Sequence, residues 1–236
     1  MTSPESRIDV NVPTVVARIE QAVRASGRDR GAVTLIAVSK TRSAAEVRHA
    51  HALGLSDFGE NYVQESMEKI AALSDLPLTW HFIGRLQANK TRAVATHFQW
   101  VHTLDRLQLA QRLQDQLPAD KLLNVCLQVN VDDDRHKGGL ALSATDAILE
   151  LAAAVRGMPG LRLRGLMTIL AETTVPALGY RRLRMLFETL ASPEHPEWDT
   201  LSMGMSGDFE TAIAEGATLI RVGQALFGPR PPASTD

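Results

Sequence analysis

The sequence has little of several features that would define its class. Only one of its 236 residues, Cys126, is a cysteine, which excludes a secreted domain held together by intrachain disulfides. Acidic and basic residues nearly cancel, with a formal net charge of −2, so no global positive field exists to bind nucleic acid or an anionic membrane. A small molecule is therefore the expected partner, and Cys126, within the apolar run LLNVCLQVNV, is expected to be a packed core thiol.

Long hydrophobic runs are also missing. No stretch approaches the roughly 18 apolar residues of a membrane span, and the N-terminus MTSPESRIDVNV has no basic segment followed by an apolar one. We therefore expect a cytoplasmic protein. With 44% hydrophobic residues, the chain can bury one large core. We predict a single domain over residues 1–230 and a flexible tail over residues 231–236; two domains are possible but not required.

Short runs rich in β-branched, leucine and aromatic residues alternate along the chain with amphipathic helical segments. The eight runs are TLIAVS (34–39), SDFGE (56–60), WHFIG (80–84), WVHTL (100–104), NVCLQVNV (124–131), LRGLMTI (163–169), TLSMGM (200–205) and TLIRVG (218–223). This alternation predicts an α/β fold in which a parallel sheet closes into a single (β/α)₈ TIM barrel. The N-terminal segment VPTVVARIEQAVRASG is expected to complete the outer ring of helices, because the proline-rich tail offers none.

A lysine stands where the first predicted strand ends, in LIAVSKTR. Active sites of this fold lie at the carboxyl ends of the strands, which places Lys40 at the expected site. Burial and the nearby cation Arg42 would both disfavour the ammonium form, so that the amine could attack a carbonyl and form a Schiff base. The alternative is an ordinary rim lysine whose stem packs on apolar surface.

Small and polar residues follow the last two predicted strands. Ser206 and Gly207 come after TLSMGM, where Asp208 is expected to cap a short helix, and Gly223 and Gln224 come after TLIRV. The loops after strands 7 and 8 form the recurrent phosphate site of this fold. Together with a strand-end lysine, they predict an aldehyde that carries a phosphate. Pyridoxal 5′-phosphate fits, and so do the sugar phosphates of Schiff-base aldolases.

Six blocks of the sequence resemble a known family. They are AVSKTR, FGENYVQE, WHFIGRLQANK, LRGLMTI, LSMGMSGDFETAIAEGAT and IRVGQALFG. In this order and spacing, from about Val15 to Gly228, they are similar to the YggS/PROSC family of pyridoxal phosphate homeostasis proteins. The resemblance implies a barrel like the alanine racemase N-terminal domain, without the racemases' second domain, that carries the cofactor pyridoxal 5′-phosphate as a lysine aldimine.

The resemblance also implies roles for individual residues. Lys40 would hold the cofactor as an internal aldimine, Arg221 would face the pyridine nitrogen, and His81 would be either near the pocket or a hydrogen-bonded core histidine. The implied cofactor-binding residues are Lys40, Asn61, Met167, Ser206, Gly207, Arg221, Gly223 and Gln224. Three positions depart from the family's usual pattern: Arg85 replaces a frequent proline, Gly207 a frequent acidic residue and Gln224 a small hydroxyl residue.

Binding without substantial turnover is the expected function. An arginine can only donate hydrogen bonds, so Arg221 would leave the pyridine nitrogen unprotonated and weaken the ring as an electron sink. A racemase of this kind also needs a tyrosine as second base, and the chain has only Tyr62 and Tyr180. A weak amino-acid racemase, a Schiff-base sugar-phosphate aldolase and a pure interaction module stay open as alternatives.

The loop after the fifth predicted strand and the helix surfaces give further expectations. Lys137, in the loop VNVDDDRHKGGL, could transiently accept the cofactor from Lys40. The acidic residues of that loop cannot by themselves provide the geometry of a metal site, and no metal is expected. Apo-enzymes that depend on the cofactor are candidate recipients. No long apolar stripe marks the helix surfaces, which favours a monomer.

Overall fold

The computed structural model describes residues 4–134 and 136–229. The predicted domain end at residue 230 and the predicted tail over residues 231–236 lie outside the described residues. The strands are β1 (Thr34–Val38), β2 (Asp57–Glu60), β3 (Thr79–Phe82), β4 (Trp100–Leu104), β5 (Leu123–Asn130), β6 (Leu140–Ala141), β7 (Leu161–Met167), β8 (Thr200–Ser202) and β9 (Leu219–Val222).

Eight of these strands form a closed parallel barrel. The order runs β4-β3-β2-β1-β9-β8-β7-β5, and pairing of β4 with β5 closes the sheet. The short β6 pairs only with the end of β5. Each of the eight apolar runs in the sequence overlaps one barrel strand, so the predicted TIM barrel is confirmed.

Helices cover the outside of the barrel. They are α1 (Pro4–Ala25), α2 (Ala44–Ala52), α3 (Val63–Ala72), α4 (Thr91–His97), α5 (Leu107–Gln116), α6 (Thr145–Arg156), α7 (Pro176–Thr189), α8 (Phe209–Ala214) and α9 (Gln224–Phe227). The helix α1 packs against α2, α8 and α9 and so completes the ring, as predicted. Among the described residues, no helix combines the length and the apolar character needed to cross a membrane.

The start of α2 is fixed by its own sequence. Ser43 and Glu46 form a capping box, in which the Ser43 side chain accepts from the Glu46 backbone N–H and the Glu46 carboxylate accepts from the Ser43 backbone N–H. The loop between β1 and α2 is therefore short and defined at its far end. Lys40 lies in this loop.

The core contains the single cysteine. Cys126 is fully buried on β5, as predicted, and burial raises the pKa of its thiol to about 12. The thiol is therefore protonated at neutral pH, and a reactive role is excluded.

Candidate functional site

A cavity of about 330 Å³ opens at the carboxyl end of the barrel strands. This volume lies at the lower end of the range for small-molecule sites. The lining residues are Val38, Lys40, Arg42, Asn61, Ile83, Ile169, Met205, Ser206, Gly207, Arg221, Gly223 and Gln224. The barrel thus brings together residues that are far apart in sequence, including the strand-end lysine, the small residues after β8 and the arginine of β9.

Met167 is the one predicted cofactor-binding residue that does not line this cavity; the other seven do. Met167 is the last residue of β7 and is fully buried. Ile169 lines the cavity instead. Residues two positions apart on an extended chain share a face, so Ile169 lies on the same side, closer to the barrel mouth.

The two residues that flank Lys40 are held by one group of charged side chains. Ser39 donates its hydroxyl to Glu60 at 2.6 Å, and its carbonyl accepts from Lys69 Nζ at 2.7 Å. On the other side, the Thr41 N–H donates to Glu65 at 2.6 Å. Thr41 has a φ of 63°, a left-handed conformation that residues with a side chain seldom adopt. These bonds fix the backbone from which the Lys40 side chain extends.

These charged side chains, Glu60, Glu65 and Lys69, form an ion cluster beneath the loop. Lys69 Nζ lies 2.6 Å from Glu60 and 3.0 Å from Glu65, and both Lys69 and Glu60 are buried. Burial raises the pKa of Glu60, and the positive charge of Lys69 only partly opposes this. The four-residue spacing of Glu65 and Lys69 on a helix is the sequence pattern that indicates such an ion pair, and the sequence analysis did not use it.

Arg221 is a buried cation at the floor of the cavity. It is 4% exposed, and it donates to Ser202 Oγ at 2.8 Å and to the carbonyl of Thr168 at 2.8 Å. Within the described part of the chain it forms no ion pair, so its contacts do not match the other interpretation that a strand arginine invites, a structural salt bridge. Burial lowers the pKa of Arg221, but a guanidinium starts so high that it stays protonated at neutral pH.

Small residues leave space on the far side of the cavity. Ser206 Oγ accepts from the N–H groups of Gly223 and Ala225 at 3.3 and 3.4 Å, so the loops after β8 and β9 are joined. A Cβ atom at Gly207 would meet nothing within 4 Å, whereas one at Gly223 would lie 3.3 Å from Val38. The two loops therefore offer an open, polar surface at the cavity.

Asp208 does not cap α8 with its side chain, contrary to the expectation. It occupies the N-cap position, but no cap hydrogen bond forms. Its carboxylate instead accepts from the Met205 N–H at 2.7 Å and from the Tyr180 hydroxyl at 2.8 Å. Tyr180 reaches it from α7, a tertiary contact that has no sequence signal.

Asn61 supplies a second polar group at the cavity. Its Oδ1 atom is buried and has no hydrogen-bond partner. The backbone of Asn61 approaches Gly84 so closely that a Cβ at Gly84 would lie 2.0 Å from the Asn61 carbonyl oxygen. Glycine is therefore required after β3, and it sets the position of Asn61. Arg85, the departure from the family pattern, is exposed and does not line the cavity.

His81 belongs to the barrel interior and does not line the cavity. It is almost fully buried and contacts Asp57 and His102 through its two ring nitrogens, both at 3.0 Å. Of the two predicted interpretations, the hydrogen-bonded core histidine is the one that matches its contacts.

Comparison with known proteins identifies the family. The sequence matches the family described as alanine racemase, N-terminal domain, over residues 11–231. The pyridoxal phosphate homeostasis protein of Pseudomonas aeruginosa is 55% identical over 229 residues, covering 95% of this chain and 96% of that protein. The protein of the same name from Escherichia coli K12 is 46% identical over 226 residues, covering 93% and 95%. The chain belongs to the pyridoxal phosphate homeostasis proteins.

Solved structures agree with this assignment. PipY of Synechococcus elongatus, a structure with pyridoxal phosphate (PLP) bound, is 38% identical, has a TM-score of 0.74 and covers 89% of this chain and 100% of its own. Alanine racemase of Corynebacterium glutamicum is 18% identical with a TM-score of 0.67, and the match covers 98% of this chain and 63% of that one. At that identity the racemase shows only that the fold is shared with this homeostasis protein family.

Proposed function

We propose that this protein binds PLP on Lys40 in the cavity, and that it buffers the cofactor or delivers it to apo-enzymes without substantial turnover. The observation that carries the proposal is that Lys40, Arg221 and the small residues after β8 line one cavity. The relatives named for pyridoxal phosphate homeostasis, and the PLP-bound structure of PipY, support the same cofactor.

The residues present fit this cofactor. PLP supplies an aldehyde that condenses with a primary amine, a dianionic phosphate and a pyridine nitrogen that can accept a hydrogen bond. Lys40 would supply the amine, and the open surface around Ser206 and Gly207 would accept the phosphate. The acceptors of Arg221 within the described ranges are both neutral, so its positive charge remains available to an acceptor in the cavity.

Two observations favour carriage over catalysis. Arg221 stays protonated and can only donate, so it cannot give a proton to the pyridine nitrogen in the way an acidic side chain would. Neither tyrosine lines the cavity. Tyr180 is buried and donates to Asp208, and burial together with the Asp208 charge raises its pKa, which makes it unsuitable as a base. Tyr62 is 55% exposed at the start of α3.

Lys137 lies next to the cavity and supports a route for release. Its Nζ donates to the carbonyl of the lining residue Ile169 at 3.3 Å and to that of Leu170. In this route its amine would take the place of the Lys40 amine on the aldehyde carbon, and Lys40 would regain its free amine. Equal rates of cofactor release from the unsubstituted protein and from Lys137→Ala would contradict this role.

The test of the main proposal is binding of PLP to the purified protein. We expect the protein to become yellow on addition of PLP, and borohydride reduction to fix the cofactor on the peptide that contains Lys40. Lys40→Ala should lose both signals. Lys121 provides a matched control, because burial lowers the pKa of its amine to about 8 although it lies two residues before β5 and does not line the cavity. In this control, Lys121→Ala should behave like the unsubstituted protein; fixation of PLP on Lys121 instead of Lys40 would contradict the proposed site.

The alternative functions give different results. Robust racemisation of an amino acid that is lost in Lys40→Ala would select the racemase. Trapping of a sugar phosphate by borohydride in a protein without a chromophore would select the aldolase. A colourless protein that binds no PLP would favour the pure interaction module.

Recipient apo-enzymes, a cytoplasmic location and a monomeric state complete the proposal. The lone buried cysteine is compatible with a reducing compartment. Sedimentation analysis of the purified protein would test the monomer, and transfer of PLP to an added apo-enzyme, followed by its regained activity, would test delivery.

A further inference from the structure

A series of five hydrogen-bonded side chains crosses the barrel interior. Asp57 Oδ1 lies 3.0 Å from His81 Nε2, and His81 Nδ1 lies 3.0 Å from His102 Nε2. His102 Nδ1 lies 2.7 Å from Ser202 Oγ, which also accepts from Arg221 Nη1 at 2.8 Å. Because Arg221 lines the cavity and Asp57 begins β2, the series connects the cavity with the opposite end of the barrel.

Outside the cavity, this series of side chains reaches solvent at its Asp57 end. His102 and Ser202 are fully buried and His81 is 1% exposed, whereas the Asp57 carboxylate is 22% exposed. Trp100 stacks on the His81 ring, with ring centroids 5.5 Å apart. The middle of the series is therefore shielded from solvent, and among the described residues each ring nitrogen has only its neighbour in the series as a hydrogen-bond partner.

The chemistry of the Asp57 end determines the direction of every bond between neutral rings. The Asp57 carboxylate can only accept, so His81 carries its hydrogen on Nε2. A neutral His81 then has a bare Nδ1, which accepts from His102 Nε2–H, and a neutral His102 has a bare Nδ1, which accepts from the Ser202 hydroxyl. The Arg221 end is compatible with this direction, because Ser202 Oγ accepts from Arg221 and keeps its own hydrogen for His102 Nδ1.

Burial keeps both histidines neutral. Burial, followed by the charges of His81 and Arg221, lowers the pKa of His102 well below its ordinary value. Burial also lowers the pKa of His81, against the opposing effect of Asp57. Burial raises the pKa of Asp57, but its bonds from His81 and Ser56 outweigh this, so that the pKa is lowered and the carboxylate is ionised.

The Arg221 end has its own ionisable neighbours. Tyr180, Asp208 and Cys126 act on its charge, and none of the three is hydrogen-bonded to the two rings. A change of pH in the neutral range therefore leaves the series in one state.

We propose that Asp57, His81 and His102 are positioning residues for Arg221. Asp57, at the far end of the barrel, sets the tautomers of both histidines, and they keep Ser202 Oγ as an acceptor that holds the guanidinium toward the cavity. The effect of this on bound PLP rests on the proposed function, whereas the tautomer arrangement does not.

The first measurement uses cofactor-free protein. Long-range proton–nitrogen NMR of ¹⁵N-labelled protein reports the tautomer of each histidine, and His81→Gln and His102→Gln assign the signals. We expect both rings to be neutral with hydrogen on Nε2 throughout the neutral pH range. A hydrogen on Nδ1 of either ring, or a cationic ring, in the unsubstituted protein would overturn the arrangement.

The second measurement tests action at a distance. Asp57→Ala removes the acceptor that requires Nε2–H on His81, so we expect the His102 signals to change and the absorption maximum of bound PLP to shift. We also expect PLP affinity to fall about threefold or more, because the guanidinium loses its fixed orientation. The matched control is Asp75→Asn, because Asp75 is an exposed carboxylate that pairs with Arg48 on the surface. It should change neither the His102 signals nor the absorption maximum of bound PLP.

Two His102 variants separate positioning from folding. His102→Leu removes both bonds, whereas His102→Gln keeps one donor and one acceptor and should recover part of the spectral shift and of the affinity. Melting curves check that each variant folds. The positioning role is overturned if Asp57→Ala matches the unsubstituted protein in either the His102 signals or the PLP spectrum. If the unsubstituted protein binds no PLP, the proposed function fails. The tautomers measured in cofactor-free protein then still test the hydrogen-bond arrangement by themselves.

Discussion

Two buried cations, Lys69 beneath the loop that carries Lys40 and Arg221 in the cavity lining, are compensated in different ways. Lys69 lies between two carboxylates, Glu60 and Glu65, and donates to the backbone next to Lys40. Among the described residues, Arg221 has only a hydroxyl and a carbonyl as hydrogen-bond acceptors. The first arrangement satisfies its charge internally and serves the fold, whereas the second leaves a charge that a ligand can use.

The difference follows from the cost of burying charge. An ion removed from water without a counter-ion is destabilised, so a fold retains such a group only where another demand requires it. The ion cluster of Glu60, Glu65 and Lys69 meets this cost with ion pairs at 2.6 and 3.0 Å. Arg221 has no ion pair within the described chain to meet it, which is the arrangement expected if the proposed ligand uses its charge.

The largest effect should come from breaking the ion cluster. Lys69→Met leaves the buried Glu60 carboxylate without a counter-ion, and loss of one partner of a buried pair costs about 3–5 kcal/mol. Urea unfolding followed by circular dichroism measures the change. The control is Arg48→Met, which breaks the exposed pair with Asp75 and should leave the unfolding midpoint almost unchanged. Equal midpoints for Lys69→Met and the control would show that the cluster does not support the fold.

Arg221→Met should have the opposite profile. It removes a desolvated cation together with two hydrogen bonds, so the free energy of unfolding should change by less than about 2 kcal/mol. PLP affinity should fall about 10- to 100-fold, because a hydrogen bond from a charged donor is lost in the cavity. Fluorescence or absorbance titration with PLP gives the affinity. A large loss of stability with unchanged affinity would reverse the comparison between the two cations.

The sequence predicted the scaffold and most of the cavity, for a physical reason. Buried parallel strands read as continuous apolar runs, and active sites of this fold lie where those runs end. Lys40 and the small residues after β8 could therefore be found from the order of elements, and the family resemblance supplied the role of Arg221.

The partners of these residues could not be predicted in the same way. Lys69 meets the backbone of Ser39 only because α3 packs beside β1, and the carboxylate of Asp208 meets Tyr180 instead of capping α8. Met167 does not line the cavity, because a side chain reaches the cavity only if it lies close enough to the end of its strand. Sequence patterns locate strand ends only to within a few residues, so this distance could not be predicted.

A smaller effect should appear in the pH dependence of stability. The pKa of Glu60 is raised above its ordinary value of 4.5, so the folded protein binds a proton more tightly than the unfolded chain does. The contribution of Glu60 is therefore most favourable at a pH below 4.5 and declines as the pH rises toward the folded pKa. Glu60→Gln should remove this decline. The free energy of unfolding of the unsubstituted protein, measured from pH 4 to pH 7, should fall relative to that of Glu60→Gln as the pH rises; parallel curves would contradict the raised pKa.

The smallest effect should come from Gly207, beside the proposed phosphate position. A Cβ atom at this position meets no atom within 4 Å, so Gly207→Ala should change the free energy of unfolding by less than about 0.5 kcal/mol. Gly84→Ala is the contrasting variant, because its Cβ would lie 2.0 Å from the carbonyl oxygen of Asn61 and would displace the loop after β3. Gly207→Ala should weaken PLP binding, although less than Arg221→Met does, because the added Cβ enters the open surface proposed for the phosphate. Unchanged affinities for PLP and inorganic phosphate would show that the phosphate lies elsewhere.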